Sequence, residues 1–219
     1  WNFAATAYLN QWKVKIYYEH YFDDHSQMFF QYGRWKDGHI GLEITFPKNR
    51  FIDTFVYEGL GTKDQTGPML YDSFWGEFEE QISAKDNYYN HYLYQGWQHW
   101  GMGIGNPLLP GPIYNKNGQI TFISNRVLAH HIGFCGSPCQ SLSYRMLLSY
   151  SRHWGTYDNP LNEIKKQFNS LFEVTYAPQQ LKGWSFTVSG AMDRGSMLGN
   201  NYGGMLVIRK QGIIKSGNK

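Results

Sequence analysis

A segment rich in aromatic and amide residues carries the side chains best suited to bind a ligand. It spans residues 86–112 and reads DNYYNHYLYQGWQHWGMGIGNPLLPGP, with Asp86 as its single formal charge. Aromatic faces stack on the C–H patches of sugar rings, while amide and imidazole groups bond the hydroxyls, so this mixture suits a carbohydrate. The candidate ligand-binding residues are Asn87, Asn90, His91, Tyr94, Trp97, Gln98 and Trp100. The alternative is that these rings pack inside a loop and bind nothing.

Catalytic signatures are hard to find elsewhere in the chain. Glu77, Glu79 and Glu80 form the one local carboxylate cluster, and paired carboxylates can hydrolyse glycosidic bonds. Their spacing says nothing about their separation in space, so a solvated loop is the simpler interpretation. The sequence also contains no nucleophile elbow. We therefore expect no catalytic residues, no enzymatic activity and no cofactor.

Pairs of histidine and cysteine offer other chemistry. His130 and His131 are adjacent in an expected strand, so they point to opposite faces and cannot share one metal ion. Cys135 and Cys139 lie in CGSPC, whose spacing favours a small disulfide loop in an oxidising compartment. A free pair of thiols and a metal site are the alternatives, and the metal site needs two further ligands. We expect a disulfide and no bound metal.

The composition requires polar and apolar side chains to lie on separate faces. Of 219 residues, 18% are aromatic and 17% charged, the latter below the roughly 25% usual in soluble domains. The mean hydropathy of -0.53 is nevertheless polar. A net charge of +3 argues against a nucleic-acid partner. No apolar run approaches the ~18 residues of a transmembrane helix.

Period-two alternation predicts β-strands along most of the chain. In HIGLEITFP, for example, Ile40, Leu42 and Ile44 fall on one face and Glu43 on the other. We expect strands near 2–10, 12–22, 27–35, 39–47, 51–59, 88–97, 119–133, 141–154, 168–177, 183–192 and 200–210. The one candidate helix is short and lies at Asn159–Phe168.

Long alternating strands fit either a soluble β-sandwich or a transmembrane barrel that turns its apolar face to lipid. The strand lengths, the contrast between tight turns and long loops, and aromatic residues at strand ends favour the barrel. Those aromatic residues are Tyr150, Trp154, Tyr176, Trp184 and Tyr202, and Glu43 and Arg145 would face the lumen. We predict one all-β domain, residues 1–219, an antiparallel transmembrane β-barrel of outer-membrane type with long loops near 60–87 and 97–118.

Four stretches resemble the Wzi family of capsule-assembly outer-membrane proteins, particularly the forms found in Bacteroidetes. DNYYNHYLYQGWQHWGMGIGNPL is similar to the family's loop region. ISNRVLAHHIGFCG and LSYRMLLSYSRHWGTYDNP resemble the two long strands that follow, and AMDRGSMLGNNYGGMLVIRKQGI resembles the closing strands. The resemblance covers Ile82 to Ile214, and CGSPC departs from the family pattern.

The resemblance implies a larger barrel, of which this chain would be the C-terminal half. It also implies a multi-pass location in the outer membrane of a Gram-negative envelope and a non-enzymatic role in capsule assembly. The expected partners are capsular or other surface polysaccharide and outer-membrane lipid, with no nucleic acid. A secreted β-sandwich that binds carbohydrate and an outer-membrane enzyme acting on lipid or glycan remain the alternatives.

Overall fold

The described part of the protein is built from β-strands and one short 3₁₀ turn. The computed structural model describes residues 1–20, 37–49, 51–63, 98–115, 118–156 and 159–212. The strands are β1 (Asn2–Leu9), β2 (Trp12–Glu19), β3 (Gly38–Thr45), β4 (Thr54–Gly61), β5 (Gln98–His99), β6 (Met102–Gly103), β7 (Val127–Cys139), β8 (Leu142–Gly155), β9 (Pro160–Tyr176), β10 (Trp184–Gly195) and β11 (Asn201–Lys210). The 3₁₀ turn is Pro112–Tyr114. Within these ranges no helix has the length and apolar character needed to cross a membrane.

Nine of the strands form one antiparallel sheet in the order β1-β2-β3-β4-β7-β8-β9-β10-β11. Each strand therefore pairs with the next large strand along the chain. The other two strands, β5 and β6, form a small hairpin in the connection between β4 and β7. In the part of the chain that the structure describes, β1 and β11 pair on one side only and are the edges of the sheet. The fold is thus all-β, as the alternation predicts.

The two ends of the sheet carry different connections. At one end, which we call the turn end, β1 and β2 are joined by residues 10–11 and β7 and β8 by residues 140–141. At the opposite end, which we call the loop end, residues 20–37 join β2 to β3 and residues 62–126 join β4 to β7. The two longest connections therefore share one end, but that end also carries the short connections 156–159 and 196–200, so the structure shows the predicted contrast only in part.

The predicted helix at Asn159–Phe168 is wrong. This segment lies almost entirely within the first half of β9, where Pro160 pairs with Gly155 and the ladder continues along β8. Helix propensity is a weak prior, and ladder hydrogen bonds to a neighbouring strand outweigh it here. The strand predicted near 119–133 also begins later, at Val127. The strands predicted near 27–35 and 88–97 lie outside the described residues.

The sheet has one apolar face and one polar face, and the apolar face is the more exposed. Val188 is 61% exposed, Phe172 51% and Leu206 64%. On the polar face, by contrast, Ser151 and Gln167 are buried. A water-soluble sheet normally shows the reverse arrangement, with its apolar side covered. This inversion is the feature of the fold that bears most on function.

The buried apolar core is small and lies at the loop end. Three of its residues lie in strands, namely Leu60, Val127 and Ala129. The other two, Leu109 and Phe122, lie in the connection between β6 and β7. Leu60 and Ala129 are register partners on the polar face of β4 and β7. The β6–β7 connection therefore packs over the polar face of the sheet and covers part of it.

Candidate functional site

A row of titratable and hydroxyl side chains crosses the polar face toward its loop end. The register pairs Glu58 with His131, and His131 with Ser149, on three adjacent strands. In the other direction Glu58 pairs with Gly41, and Gly41 with Tyr17. Because residues directly opposite in an antiparallel ladder share a face, these side chains all project to the same side. We call Tyr17, Glu58, His131 and Ser149 the polar row.

One strand, β3, separates Tyr17 on β2 from Glu58 on β4, yet the two side chains are hydrogen-bonded. The phenol of Tyr17 donates to Oε1 of Glu58 across Gly41. A Cβ atom at position 41 would lie 1.9 Å from Cζ of Tyr17, so only glycine leaves room for the ring to cross. The ring of His39 also makes an edge contact with Tyr17, with centroids 5.7 Å apart.

His39 links the polar row to a second carboxylate. Its Nε2 lies 3.5 Å from Oε1 of Glu58, and its Nδ1 lies 3.5 Å from Oε2 of Glu19. The imidazole thus stands between two carboxylates, with 19% of its side-chain surface exposed. A protonated His39 would offset part of the repulsion between the two carboxylates.

Ser149 and His131 form the second half of the polar row. Nδ1 of His131 lies 2.7 Å from Oγ of Ser149. A serine bonded to histidine beside a carboxylate resembles a nucleophile and its base. However, serine hydrolases of the triad type use Nε2 for this contact and place the acid on Nδ1. In this protein Glu58 instead bonds Tyr17 and contacts His39, so the arrangement differs from a triad in both respects.

A cavity of about 510 Å³ lies over these side chains. The sheet supplies its floor, and the β6–β7 connection supplies a roof from Gly105 to Leu108. Oδ1 of Asn106 accepts the backbone N–H of Leu108 at 2.9 Å, which shapes this turn. The next residue, Leu109, is 2% exposed and holds the roof against the sheet. The cavity therefore combines a polar floor with a partly apolar cover.

Hydrogen-bonded polar groups extend along the same face beyond the cavity. Oγ of Ser151 lies 2.8 Å from Nε2 of His153, and both residues are buried. Nδ2 of Asn169 donates to Oδ1 of Asp193 at 2.6 Å. These groups and the polar row make the face a broad polar surface from β2 to β10.

Ion pairs occupy the same face toward the turn end. Arg145 lies 3.3 Å from Glu173, and Lys13 lies 3.6 Å from Glu43. The sequence predicts that Glu43 and Arg145 share a face. The register confirms it, because the ladder from Glu43 leads through Val56 and Gly133 to Leu147, two positions from Arg145. The polar surface thus continues toward the short turns.

Two of the seven predicted ligand-binding residues fall in the described part of the chain. Trp100 is 85% exposed, and Trp100 and Gly101 have φ values of 52° and 79° at the tip of the β5–β6 hairpin. Oε1 of Gln98 accepts the backbone N–H of Gly101 at 2.8 Å. Two consecutive positive φ values are typical of a type I′ turn, but tryptophan is uncommon there. The turn presents the indole ring to solvent.

The other predicted residues of this segment lie outside the described residues, so their positions remain predictions. They are Asn87, Asn90, His91, Tyr94 and Trp97. The carboxylate cluster Glu77, Glu79 and Glu80 lies outside them as well. In the described part of the aromatic segment, from residue 98 onward, Trp100 is exposed to solvent whereas Leu109 packs on the sheet.

The histidine pair behaves as predicted. His131 faces the cavity, whereas Nδ1 of His130 lies 2.8 Å from the phenol oxygen of Tyr57 on the apolar face. Within the described ranges, no group of three or more His, Cys, Asp or Glu residues is arranged to hold a metal ion.

The cysteines do not form the expected bridge in this structure. Cys135 and Cys139 are both free, and both lie in β7. An extended strand rises about 3.3 Å per residue, whereas a disulfide requires Cα atoms within about 7 Å. The sequence CGSPC suggests a loop, but the chain here continues as a strand with a register shift between Gly136 and Cys139.

Sequence reasoning missed the cavity and most of its polar groups. Glu19, His39 and Glu58 each sit near the loop end of a different strand, and no local motif joins them. The signal that could have identified the cavity is that each of three adjacent strands carries a titratable residue near the same end of the sheet. Recognising that signal requires the strand order and register.

Comparison of the chain with models of known protein families, with curated proteins and with solved structures finds no match. The likeness to the Wzi family therefore remains a prediction from sequence patterns.

Proposed function

We propose that this chain forms part of a transmembrane β-barrel of the bacterial outer membrane, with a non-enzymatic role in capsule assembly. The observation that carries the membrane part is the inverted sheet. Its apolar face is exposed, while its polar face is partly covered and internally hydrogen-bonded. Large contiguous apolar surfaces are rare on soluble monomers and mark contact with another apolar phase.

The dimensions of the sheet support lipid as that phase. Its strands run from 8 to 17 residues, and a tilted strand needs about 9–11 residues to cross a bilayer. Phe168 and Tyr176 lie on the apolar face of β9 and are eight positions apart. At about 3.3 Å per residue this separation is roughly 26 Å along the strand. A tilt of about 40° reduces it to roughly 20 Å across the membrane, near the ~25 Å apolar band of outer-membrane barrels.

Aromatic side chains lie at both ends of the apolar face. Trp12, Tyr176 and Trp184 are near the turn end, and Tyr150 and Tyr202 are toward the loop end. Their alternating positions put them on the side of Val188 and Phe172. Two aromatic belts at the depth of the lipid headgroups are typical of such barrels.

The soluble β-sandwich needs a second sheet to cover the apolar face. The described ranges contain one large sheet and a hairpin of two residues per strand, which is too small for that role. Detergent dependence separates the two proposals, because a secreted sandwich stays monomeric in water without detergent.

The polysaccharide part of the proposal rests on the aromatic segment. Trp100 is exposed at the tip of a hairpin in the long β4–β7 connection. The chain holds this ring outward at a backbone conformation that tryptophan rarely adopts, and such conformations concentrate at functional sites. We propose that Trp100 and Trp97 stack on sugar rings at the cell surface.

We expect that replacing both tryptophans lowers capsule retention without loss of folding. The variant is Trp97→Ala with Trp100→Asn, because asparagine tolerates the positive φ at position 100. Retention on cells is measured by capsule staining, and folding by heat-modifiable migration in gels. The matched variant Leu109→Ala removes a packed side chain of the same connection and should cost about 2–5 kcal/mol of stability. Normal capsule retention in the tryptophan variant would remove the binding role.

A further inference from the structure

The cavity over the polar row has an uneven charge. Among the described residues that line it, two are carboxylates, Glu19 and Glu58, and none is lysine or arginine. With both lining histidines neutral the described lining carries two negative charges, and a proton on one histidine leaves a net charge of one. Because charges interact strongly where water is partly excluded, such a site favours a cation over an anion.

The carboxylates remain within reach of a ligand. The side chain of Glu58 is 30% exposed and that of Glu19 is 36% exposed. A carboxylate has about four acceptor positions, so Glu58 can accept a further donor in addition to Tyr17 and His39. The two carboxylates lie beside the two different nitrogens of the His39 ring, so an ammonium group bound at Glu58 would also be attracted by the nearby charge of Glu19.

The rest of the lining suits a hydroxylated ring. Ser149, His131 and Asn106 supply polar groups that can bond hydroxyls. Apolar surface comes from Leu60, Pro107, Leu108 and Ala129. The volume of about 510 Å³ falls within the ~300–1,000 Å³ typical of small-molecule sites.

We propose that this cavity binds an amino sugar, with Glu58 holding its ammonium group and Glu19 adding negative charge nearby. The choice of a sugar ring rests on the function proposed above, whereas the choice of an ammonium group rests on the charge of the cavity alone. Glu58 is fixed by Tyr17 and His39, so its carboxylate is already oriented toward the ligand before binding. An acidic sugar is disfavoured because its carboxylate would meet two others.

The test titrates the full chain, purified in detergent, with glucosamine, N-acetylglucosamine and glucuronic acid by calorimetry. We expect glucosamine to bind most tightly and glucuronic acid least. Glu58→Gln keeps the shape of the side chain and an acceptor for Tyr17 but removes the charge. It should weaken glucosamine binding roughly 10- to 100-fold, the usual effect of losing a charged hydrogen-bond partner.

The matched control is Glu163→Gln. Glu163 is a carboxylate of β9 with 72% of its side chain exposed, and it pairs with Lys165 rather than with any cavity residue. The Glu163→Gln protein should bind glucosamine with the same affinity as the unmodified protein. The proposal is overturned if the unmodified protein does not bind glucosamine, if glucuronic acid binds equally well, or if Glu58→Gln retains full affinity.

These measurements separate the cavity from capsule attachment. Binding in detergent requires neither lipid nor capsule, and capsule retention is scored on cells. Loss of glucosamine binding in Glu58→Gln, together with normal capsule retention in the tryptophan variant, would support the cavity site and contradict the binding role proposed for the tryptophans. Full glucosamine affinity in Glu58→Gln, together with reduced capsule retention in the tryptophan variant, would contradict only the proposed sugar site in the cavity.

Discussion

Arginine at Leu148 should destabilise the folded protein in lipid vesicles by about 2–4 kcal/mol, the cost of that residue near the middle of a bilayer. Leu148 lies on the apolar face of β8, opposite Ile132 on one side and Ser170 on the other. If that face contacts lipid, the guanidinium must lose its hydration or distort the bilayer. Reversible denaturant unfolding of the vesicle-inserted protein measures the loss.

The neighbouring residue provides the control. Leu147 has the same side chain, lies next to Leu148 on β8 and projects to the polar face, where it lines a cavity with Glu58 and His131. Arginine there stays on the polar face near the carboxylate of Glu58, although Arg145 lines the same cavity, so we expect a loss of less than about 1 kcal/mol. Met146→Arg should behave like Leu148→Arg. Equal losses at positions 147 and 148 would contradict lipid contact.

Alanine at Gly41 should destabilise the folded protein by several kcal/mol. Its Cβ would lie 1.9 Å from Cζ of Tyr17, far closer than two non-bonded carbon atoms can approach. The ring must move, and the hydrogen bond from Tyr17 to Glu58 breaks with it. Overpacking costs about 1–3 kcal/mol, and the broken bond adds about 1.5–3 kcal/mol because Glu58 is charged.

Two comparisons isolate the cause of that loss. Gly203, on the same face of β11, has no atom within 4 Å of an added Cβ, so Gly203→Ala should change stability little. In a Tyr17→Ala background, Gly41→Ala should lose most of its effect, because the clash is with that ring. Additive effects of the two substitutions would show that Gly41 acts independently of Tyr17.

The faces of the strands could be predicted from sequence because alternation is local. Leu142, Tyr144, Met146, Leu148 and Tyr150 share one side of β8 as their spacing requires. His130 and His131 could be assigned to opposite faces for the same reason. The failure at Asn159–Phe168 has the opposite cause, since a local pattern suggested a helix where a neighbouring strand decides the conformation.

The cavity could not be predicted because it depends on register and on a distant connection. Glu58, His131 and Ser149 meet only because β4, β7 and β8 pair with one particular alignment. The roof at Gly105–Leu108 is placed by packing of Leu109 and Phe122, which no periodic pattern encodes. Neither the bond between Tyr17 and Glu58 nor the need for Gly41 can be read from three separate strands.

Lipid contact along β10 tests the central claim most directly. Single spin labels at Val188 and Gly190 on the apolar face, and at Thr187 and Ala191 on the polar face, are introduced after both cysteines are replaced by serine. In vesicles, oxygen concentrates in the bilayer and a nickel chelate stays in water. The account predicts that labels at 188 and 190 collide mainly with oxygen, while those at 187 and 191 collide mainly with the chelate. Chelate collisions at all four positions would contradict it.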